Sequence, residues 1–408
     1  MAITDKEKGV WGLDQVYNKI NQGSIWSYST SGVEQFTYNT LFTWGSGSNY
    51  ALGQGNNTSR SSPVQIPGTG WTQSNSDTFG NDYKAFSVVK SDGTMWTWGE
   101  NKEGSMGIPS VAHNDTRVSP VQMGSSTDWK YVGMGDEWKT AIKTDGTLWA
   151  WGANENGGLG QNNTTHYSSP VQIGSDTTWS SLATQGSSDS FHAVKTDGTL
   201  WACGRNTYGV LGQNQPPSTN YSSPVQIPGT WKAVMAGRNS VGALKTDNTL
   251  WMWGRNNAFG KLGLNDLANR SSPTQIPGTD WTLNIDVGYE NVAAIKSDGA
   301  LWVWGYNLKG QLGQNEAGGN NEATSRSSPV QVGSDTTWST VGQGERYVLA
   351  SKTDGTLWSW GYNTSGQLGQ NNQGNPSMKS SPVQVGSATH WAGAKFNCNG
   401  KNIVFANT

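Results

Sequence analysis

Charge is scarce in this chain. Asp, Glu, Lys and Arg make up 14% of 408 residues, against ~25% in ordinary soluble domains. The formal net charge is −2 and no Lys/Arg-rich run occurs. A nucleic-acid or anionic-membrane partner, which needs a basic footprint, is therefore not expected. Cysteine is limited to Cys203 and Cys398, far apart in sequence. They read as free thiols filling apolar space, not as a disulfide framework. No run of 18 apolar residues exists, so no membrane span is expected. The charged start, Met1-Ala-Ile-Thr-Asp-Lys-Glu-Lys-Gly, has no apolar stretch behind it, and no secretory signal is expected.

Catalytic signatures are missing too. His113, His166, His192 and His390 have no metal-ligand spacing to one another or to a cysteine; His192, on a strand, reads as structural. Asp92, Asp145, Asp197, Asp247, Asp298 and Asp354 each precede Gly or Asn in a recurring turn, so they bond their own backbone and are not paired acids. Gly254 to Lys261 has the wrong spacing for a phosphate loop, with Leu262 where Ser or Thr is needed. No Gly-x-Ser-x-Gly elbow occurs. The expectation is a non-enzyme with no cofactor and no metal.

Glycine (54) and tryptophan (22) are abundant. Such a chain cannot build a leucine-rich helical core, but Trp buries roughly 150–250 Å² per side chain. The segment Lys143-Thr-Asp-Gly-Thr-Leu-Trp-Ala-Trp-Gly152 recurs at 90–99, 195–204, 245–254, 296–305 and 352–361, with a truncated copy at 40–45. The closing glycines stand at 45, 99, 152, 204, 254, 305 and 361. A period near 50 residues with Asp-Gly turns and alternating strands predicts a propeller.

Each unit reads as four strands. In the third copy these are Trp129–Gly133, Thr140–Lys143, Thr147–Trp151 and Ser169–Ile173, with a type I′ turn expected at Asp145-Gly146. Pro170 cannot donate to a ladder, which puts the fourth strand at the outer edge. The chain starts at a third strand and stops after a second. Residues about 401–406 should therefore pair with about 40–45 and complete a shared blade, leaving no open edge. The fold expected is all-β: a seven-bladed propeller over 37–408 with a shared closing blade, preceded by a short helical or extended segment, 1–36.

The pattern Leu-Trp-x-Trp-Gly-x-Asn-x-x-Gly-x-Leu-Gly-Gln with Ser-Ser-Pro-Val-Gln, seen at 301–314 with 327–331 and at 357–370 with 380–384, resembles the bacterial and viral form of the regulator of chromosome condensation (RCC1-type) repeat. The resemblance covers roughly 37–408 and implies a seven-bladed propeller with a shared blade. Relatives include an exchange factor and a protein inhibitor, so function does not transfer with the fold. Many repeats of that family carry a His at the start of the second strand. Here Ala85, Trp138, Ser190, Ser240, Asn291 and Tyr347 take its place, which counts against an exchange factor.

Comparing the copies separates framework from variable positions. Val88, Ala141, Ala193, Ala243, Ala294 and Ala350, with the third-strand tryptophans, form the framework. Just before the second strand the identities scatter: Tyr83, Lys84; Asp136, Glu137, Trp138; Asp189; Arg238, Asn239; Tyr289, Glu290, Asn291; Glu345, Arg346, Tyr347. Ring symmetry should place them on one face, and a ring rich in Tyr, Trp and Arg is a candidate contact surface. The long Asn/Gly/Ser-rich loops at 314–326 and 370–379 are further rims.

Outside the repeat, Leu13, Val16, Tyr17 and Ile20 share one face of a short helix ended by Gly23, and with Trp11 form a candidate attachment surface. The run from Gly9 to Tyr17, with Ile25-Trp26, is similar to the beginnings of marine bacteriophage virion proteins. The leading expectation is a phage virion or appendage component, made in the host cytoplasm. Residues 1–36 would join it to other virion or surface proteins, and a propeller face would bind a host receptor or protein ligand, with homo-oligomerisation left open. The alternatives are a bacterial interaction module, adhesin or inhibitor, in the cytoplasm or at the cell surface, and a nucleotide-exchange-type regulator.

Overall fold

The structure, a computed structural model, describes residues 40–71, 85–135, 137–185, 189–256, 259–316, 324–374, 377–399 and 402–407. The candidate attachment residues Trp11, Leu13, Val16, Tyr17 and Ile20, and the helix expected there, lie outside them. Within Tyr38–Thr408, a single compact unit, the described residues contain strands and three short 3-10 turns but no α-helix.

In five blades four antiparallel strands follow chain order, with the proline-bearing strand at the outer edge. In the Lys143 blade they are Trp129–Met134, Trp138–Lys143, Leu148–Gly152 and Tyr167–Gln172. Blades are named below by this motif lysine. The outer position of Pro170, expected because its nitrogen carries no hydrogen, is observed. So is ring closure. Thr40–Gly45 pairs antiparallel with Asn402–Asn407, setting Leu41 opposite Ala406 and Trp44 opposite Ile403, in a sheet completed by Arg60–Ile66 and Lys395–Asn399.

The expectation of a seven-bladed propeller is corrected: among the described residues there are six complete four-stranded blades. Around Lys90, after the first two strands of the closing sheet, the described residues form a sheet of three strands: Ala85–Val89, Met95–Glu100 and Thr116–Gln122. Among the described residues its inner side carries an isolated bridge between Trp71 and Lys90.

The hairpin between second and third strands is also corrected. Gly146 has φ +80° but Asp145 is not left-handed. Gly146 N–H donates to Lys143 C=O at 3.0 Å, and Lys143 N–H to Thr147 C=O at 3.0 Å. This is a three-residue loop whose last residue is left-handed, a different class from the two-residue type I′ turn. Asp145 Oδ1 accepts from both the backbone N–H and the hydroxyl of Thr147, at 3.0 and 2.7 Å.

Third-strand tryptophans divide into two kinds. Trp149 and its equivalents are half-buried. Trp151 and its equivalents are fully buried, and each donates its indole N–H to a backbone carbonyl of the preceding blade's loop. The pairs are Trp98 to Ala51, Trp151 to Ser105, Trp253 to Val210, Trp304 to Lys261, Trp360 to Gln311 and Trp44 to Gln367, at 2.7–3.1 Å. In the Lys195 blade Cys203 stands in the Trp position and directs its thiol to Gly157 C=O at 3.2 Å. Both cysteines are free and buried, as expected. Nearby, Gly157 (φ +75°) rests on the next blade: a Cβ there would come 2.7 Å from Ser222 Cα, a space only glycine leaves.

Trp253 and Trp251 test this division. Trp253→Ala removes a fully buried ring and leaves the Val210 carbonyl without its indole donor, and should cost about 3–5 kcal/mol in denaturant unfolding. Trp251→Ala, at a half-buried site, should cost clearly less. Equal losses would show that the two kinds of tryptophan carry the same load.

Candidate functional site

The loops between first and second strands share one end of the propeller with the long loops between third and fourth strands. Ala153, opening such a long loop, donates its N–H to Glu137 C=O at 2.9 Å. Six of the long loops are each folded by a buried asparagine. Asn154 Oδ1 accepts from Leu159 N–H at 2.8 Å, while its Nδ2 donates to the carbonyls of Asn163 and Thr165, both at 3.0 Å. Asn206, Asn256, Asn307 and Asn363 accept the equivalent Leu N–H in their own loops.

The motif lysines mark the other end. Each ammonium lies between two indoles, that of the blade-opening tryptophan and one from the strand that follows the lysine. Lys90, Lys143, Lys195, Lys245, Lys296 and Lys352 sit 3.8–5.2 Å from the ring centroids. Asp128, Asp176, Asp280 and Asp335 pair with four of these lysines at 2.5–3.2 Å. Hydrogen bonds from Lys195 and Thr178 hold the Asp176 carboxyl at about 2. These cations, desolvated between rings, brace the blades.

Residues expected in the contact ring fall into three groups. Glu137, Arg238, Tyr289, Glu290, Glu345 and Arg346 are half-buried at the rim. Trp138 (1% exposed), Tyr347 (0%) and Asn239 (9%) are buried beneath it, which corrects their reading as contact residues. As openers of the second strand or its immediate neighbour, they pack under the loop and fill space between blades. Tyr83, Lys84 and Asp136 lie outside the described residues.

The rim is held by pairs that mostly cross between blades. The Arg238 guanidinium lies 4.0 Å from the Tyr289 ring centroid. Arg255 is 3.8 Å from Glu290 and 5.3 Å from the Tyr208 ring. Lys102 pairs with Glu137. Asn156 donates to Asp189 Oδ2 at 2.8 Å, while burial raises the Asp189 carboxyl above its usual range. Within one loop, Glu345 stands 3.8 Å from Arg346. The long loops are anchored as well: Asn315 N–H bonds Ser380 C=O and Asn371 N–H bonds Ser61 C=O, each at 2.8 Å.

Sequence reasoning met Lys261 only as the end of a rejected phosphate loop. It occupies the position of Ala51, Ser105, Gly158, Val210, Gln311 and Gln367 in the other loops, and that departure was the available signal. Its side chain is buried under the rim. Nζ donates to the carbonyls of Arg238, Gly288 and Tyr289 at 3.1, 2.7 and 3.0 Å, tying two adjacent loops together. Burial lowers its pKa from 10.5 to about 7, with Glu290 opposing the fall. His192 is fully buried, bonds Val210 C=O at 2.9 Å, and is held neutral by burial with a pKa of about 4. No cluster of His, Cys, Asp and Glu able to hold a metal occurs among the described residues.

The sequence pattern of the RCC1-like domain matches residues 40–405. The chain is 29% identical to the ultraviolet-B receptor UVR8 of Arabidopsis thaliana, over 80% of this chain and 74% of that protein. It is 25% identical to the mitochondrial RCC1 domain-containing protein RUG3 of the same plant, over 86% and 83%. Among solved structures it superposes on Prp20p of Saccharomyces cerevisiae, a protein described with binding properties to Gsp1p and histones (TM-score 0.76, 18% identity, 92% of both chains). It also superposes on human WBSCR16 (TM-score 0.72, 17% identity, 91% and 99%). At these identities the structural likeness is one of fold.

Lys261 generates a pH test. Below pH 7 folded and unfolded chains both carry the ammonium, and its full burial penalty is present. Between about 7 and 10.5 the unfolded chain binds a proton that the folded chain has released. Stability relative to Lys261→Gln should therefore rise with pH, by up to about 1.4 kcal/mol per unit. Denaturant titrations of both proteins measure this. A flat difference would show that the three carbonyls keep the lysine charged.

Proposed function

We propose, from the premise that this chain belongs to the RCC1-like domain family, that it is a non-enzymatic docking protein whose rim loops recognise a protein partner. The observation that carries this reading is the set of half-buried rim side chains paired across blades: Arg238 on Tyr289, Arg255 with Glu290, Lys102 with Glu137. Loops tied to one another lose less entropy on binding than free loops would. Arginine and tyrosine on a rigid scaffold are the side chains that dominate protein contacts.

The finer assignment is a phage virion or appendage component, with residues 1–36 as its attachment segment and the rim turned towards a host or virion protein. It is supported by the likeness of the Gly9–Tyr17 and Ile25-Trp26 runs to virion proteins and by the Gly-rich, charge-poor composition. The likeness to Prp20p is one of fold and does not bring that protein's partners to this chain.

Two measurements test the proposal. Antibody against the propeller should label purified particles in electron microscopy; unlabelled particles would end the virion assignment. The double substitution Arg238→Ala with Arg346→Ala should lower the unfolding temperature only by what the lost Tyr289 contact contributes and weaken capture of a particle protein tenfold or more, about 1.4 kcal/mol. Undiminished capture would move the contact surface away from the rim.

A further inference from the structure

Three positions of the repeat reach the rim, and all three change character at the same place around the propeller. The first follows the glycine that closes the third strand. Its backbone N–H bonds the loop before the second strand of its own blade: Ala153 to Glu137, Arg205 to Asp189, Arg255 to Asn239, Tyr306 to Glu290 and Tyr362 to Arg346, at 2.7–3.1 Å. The second position precedes the glycine of the long loop. The third is the loop before the second strand itself. Up to Asp189 these positions carry Glu100, Glu103, Glu137, Ala153, Asn156 and Asp189. From Arg205 onwards they carry Arg205 with Tyr208, then Arg238, Arg255 and Phe259. Tyr289, Tyr306 and Lys309 continue the run, which ends at Arg346 and Tyr362. The boundary falls inside the Lys195 blade.

Beyond it, cations and aromatic side chains face one another. Arg255 lies 5.3 Å from the Tyr208 centroid, Arg238 4.0 Å from that of Tyr289 and Lys309 5.9 Å from that of Tyr362, while Phe259 packs 4.3 Å from Tyr306. Each pair crosses between neighbouring blades. Arg205 is exposed, and Arg255, Tyr208, Tyr289, Lys309 and Tyr362 are half-buried, so part of each stays in contact with solvent. Carboxylates are fewer in this arc: Glu290 stands 3.8 Å from Arg255 and Glu345 3.8 Å from Arg346. The positive excess reaches below the surface. Besides burial, the largest cause, the charges of Arg255 and Arg238 push Lys261 towards its neutral form. Across the boundary the sign is reversed: burial foremost, with Glu155 and Glu137 adding to it, raises the Asp189 carboxyl.

We infer that the arc from Arg205 to Tyr362 docks an acidic segment of a protein partner, with carboxylates on its cations and apolar side chains on its tyrosines. This rests on the docking reading above and adds the chemistry and the place of the contact. Guanidinium groups suit carboxylates because they donate two parallel hydrogen bonds, and packing against an aromatic face holds them in position. Glu103, Glu137, Glu155 and Asp189 repel the same segment, which fixes the side of the rim it lies on. A nucleic-acid backbone needs an unbroken basic track, and Glu290 and Glu345 interrupt this one.

Fluorescence anisotropy of a labelled oligopeptide of alternating glutamate and leucine, titrated with the full chain, tests the inference. A dissociation constant on the order of 100 µM is expected, weakening as salt is added. Arg205→Glu with Lys309→Glu should weaken binding about tenfold or more, with thermal unfolding checking that the variant is folded. Glu103→Gln with Glu155→Gln, on the other side of the boundary, should tighten binding or leave it unchanged. Equal affinity for the lysine–leucine counterpart, tighter binding of oligothymidylate, or binding unaffected by Arg205→Glu with Lys309→Glu would overturn the inference. So would a dimer of the full chain in sedimentation that Arg205→Glu with Lys309→Glu dissociates, because a second copy would then occupy the arc. If the acidic peptide does not bind while Arg238→Ala with Arg346→Ala still loses the particle protein, the docking reading stands and the acidic character of the partner falls.

Discussion

One bond, from a buried indole to the carbonyl of the preceding blade's loop, is what the rest of the propeller depends on. Trp44, Trp98, Trp151, Trp253, Trp304 and Trp360 make it, and the Cys203 thiol takes the same place in its blade. Because Trp44 reaches back to Gln367, the circuit closes on itself. A bulky ring filling the gap and a polar contact fixing its depth together set how each sheet meets the next. The carbonyl is in place only because an asparagine such as Asn154 folds the loop that offers it. With framework positions committed in this way, variation is confined to the rims and to places where the repeat itself departs.

The two ends of the propeller use charge differently. At one end each motif lysine is clamped between two indoles, and four of them also hold an aspartate. These cations are structural. At the other end cations reach across seams: Arg238 to Tyr289, Arg255 to Glu290, and Lys261 from below to three carbonyls. A chain with 14% charged residues has therefore invested many of them in its own cohesion. Its low charge is no sign of a featureless surface, because the rim couples neighbouring loops through their ionic and aromatic contacts.

Departures from a repeat are informative in proportion to the number of copies that lack them. Leu264 and Ala300 are unremarkable residues in isolation. They stand out because five copies place at the first position a glutamine that bonds an outer-strand carbonyl, and five place at the second a threonine that accepts an indole N–H. The same reasoning, applied to one loop position across copies, singles out Lys261. Read without the partners of each side chain, it looked like ordinary repeat variation.

From sequence alone, the period, the outer place of the prolines and the pairing of residues near 40–45 with those near 402–407 were determined, because each follows from local chemistry: strand alternation, a missing N–H, an incomplete first and last unit. The glycine turn was half legible, since Gly146 needed positive φ and Asp145 did not. Tertiary structure alone decided which tryptophan of each pair is interred, which of the scattered positions stay at the rim, and which, like Trp138 and Tyr347, sink beneath it. It also decided that, among the described residues, the Lys90 sheet has three strands. Burial and enclosure depend on what a neighbouring blade places opposite a residue, and that neighbour is about 50 residues distant in the chain, beyond the reach of any local pattern.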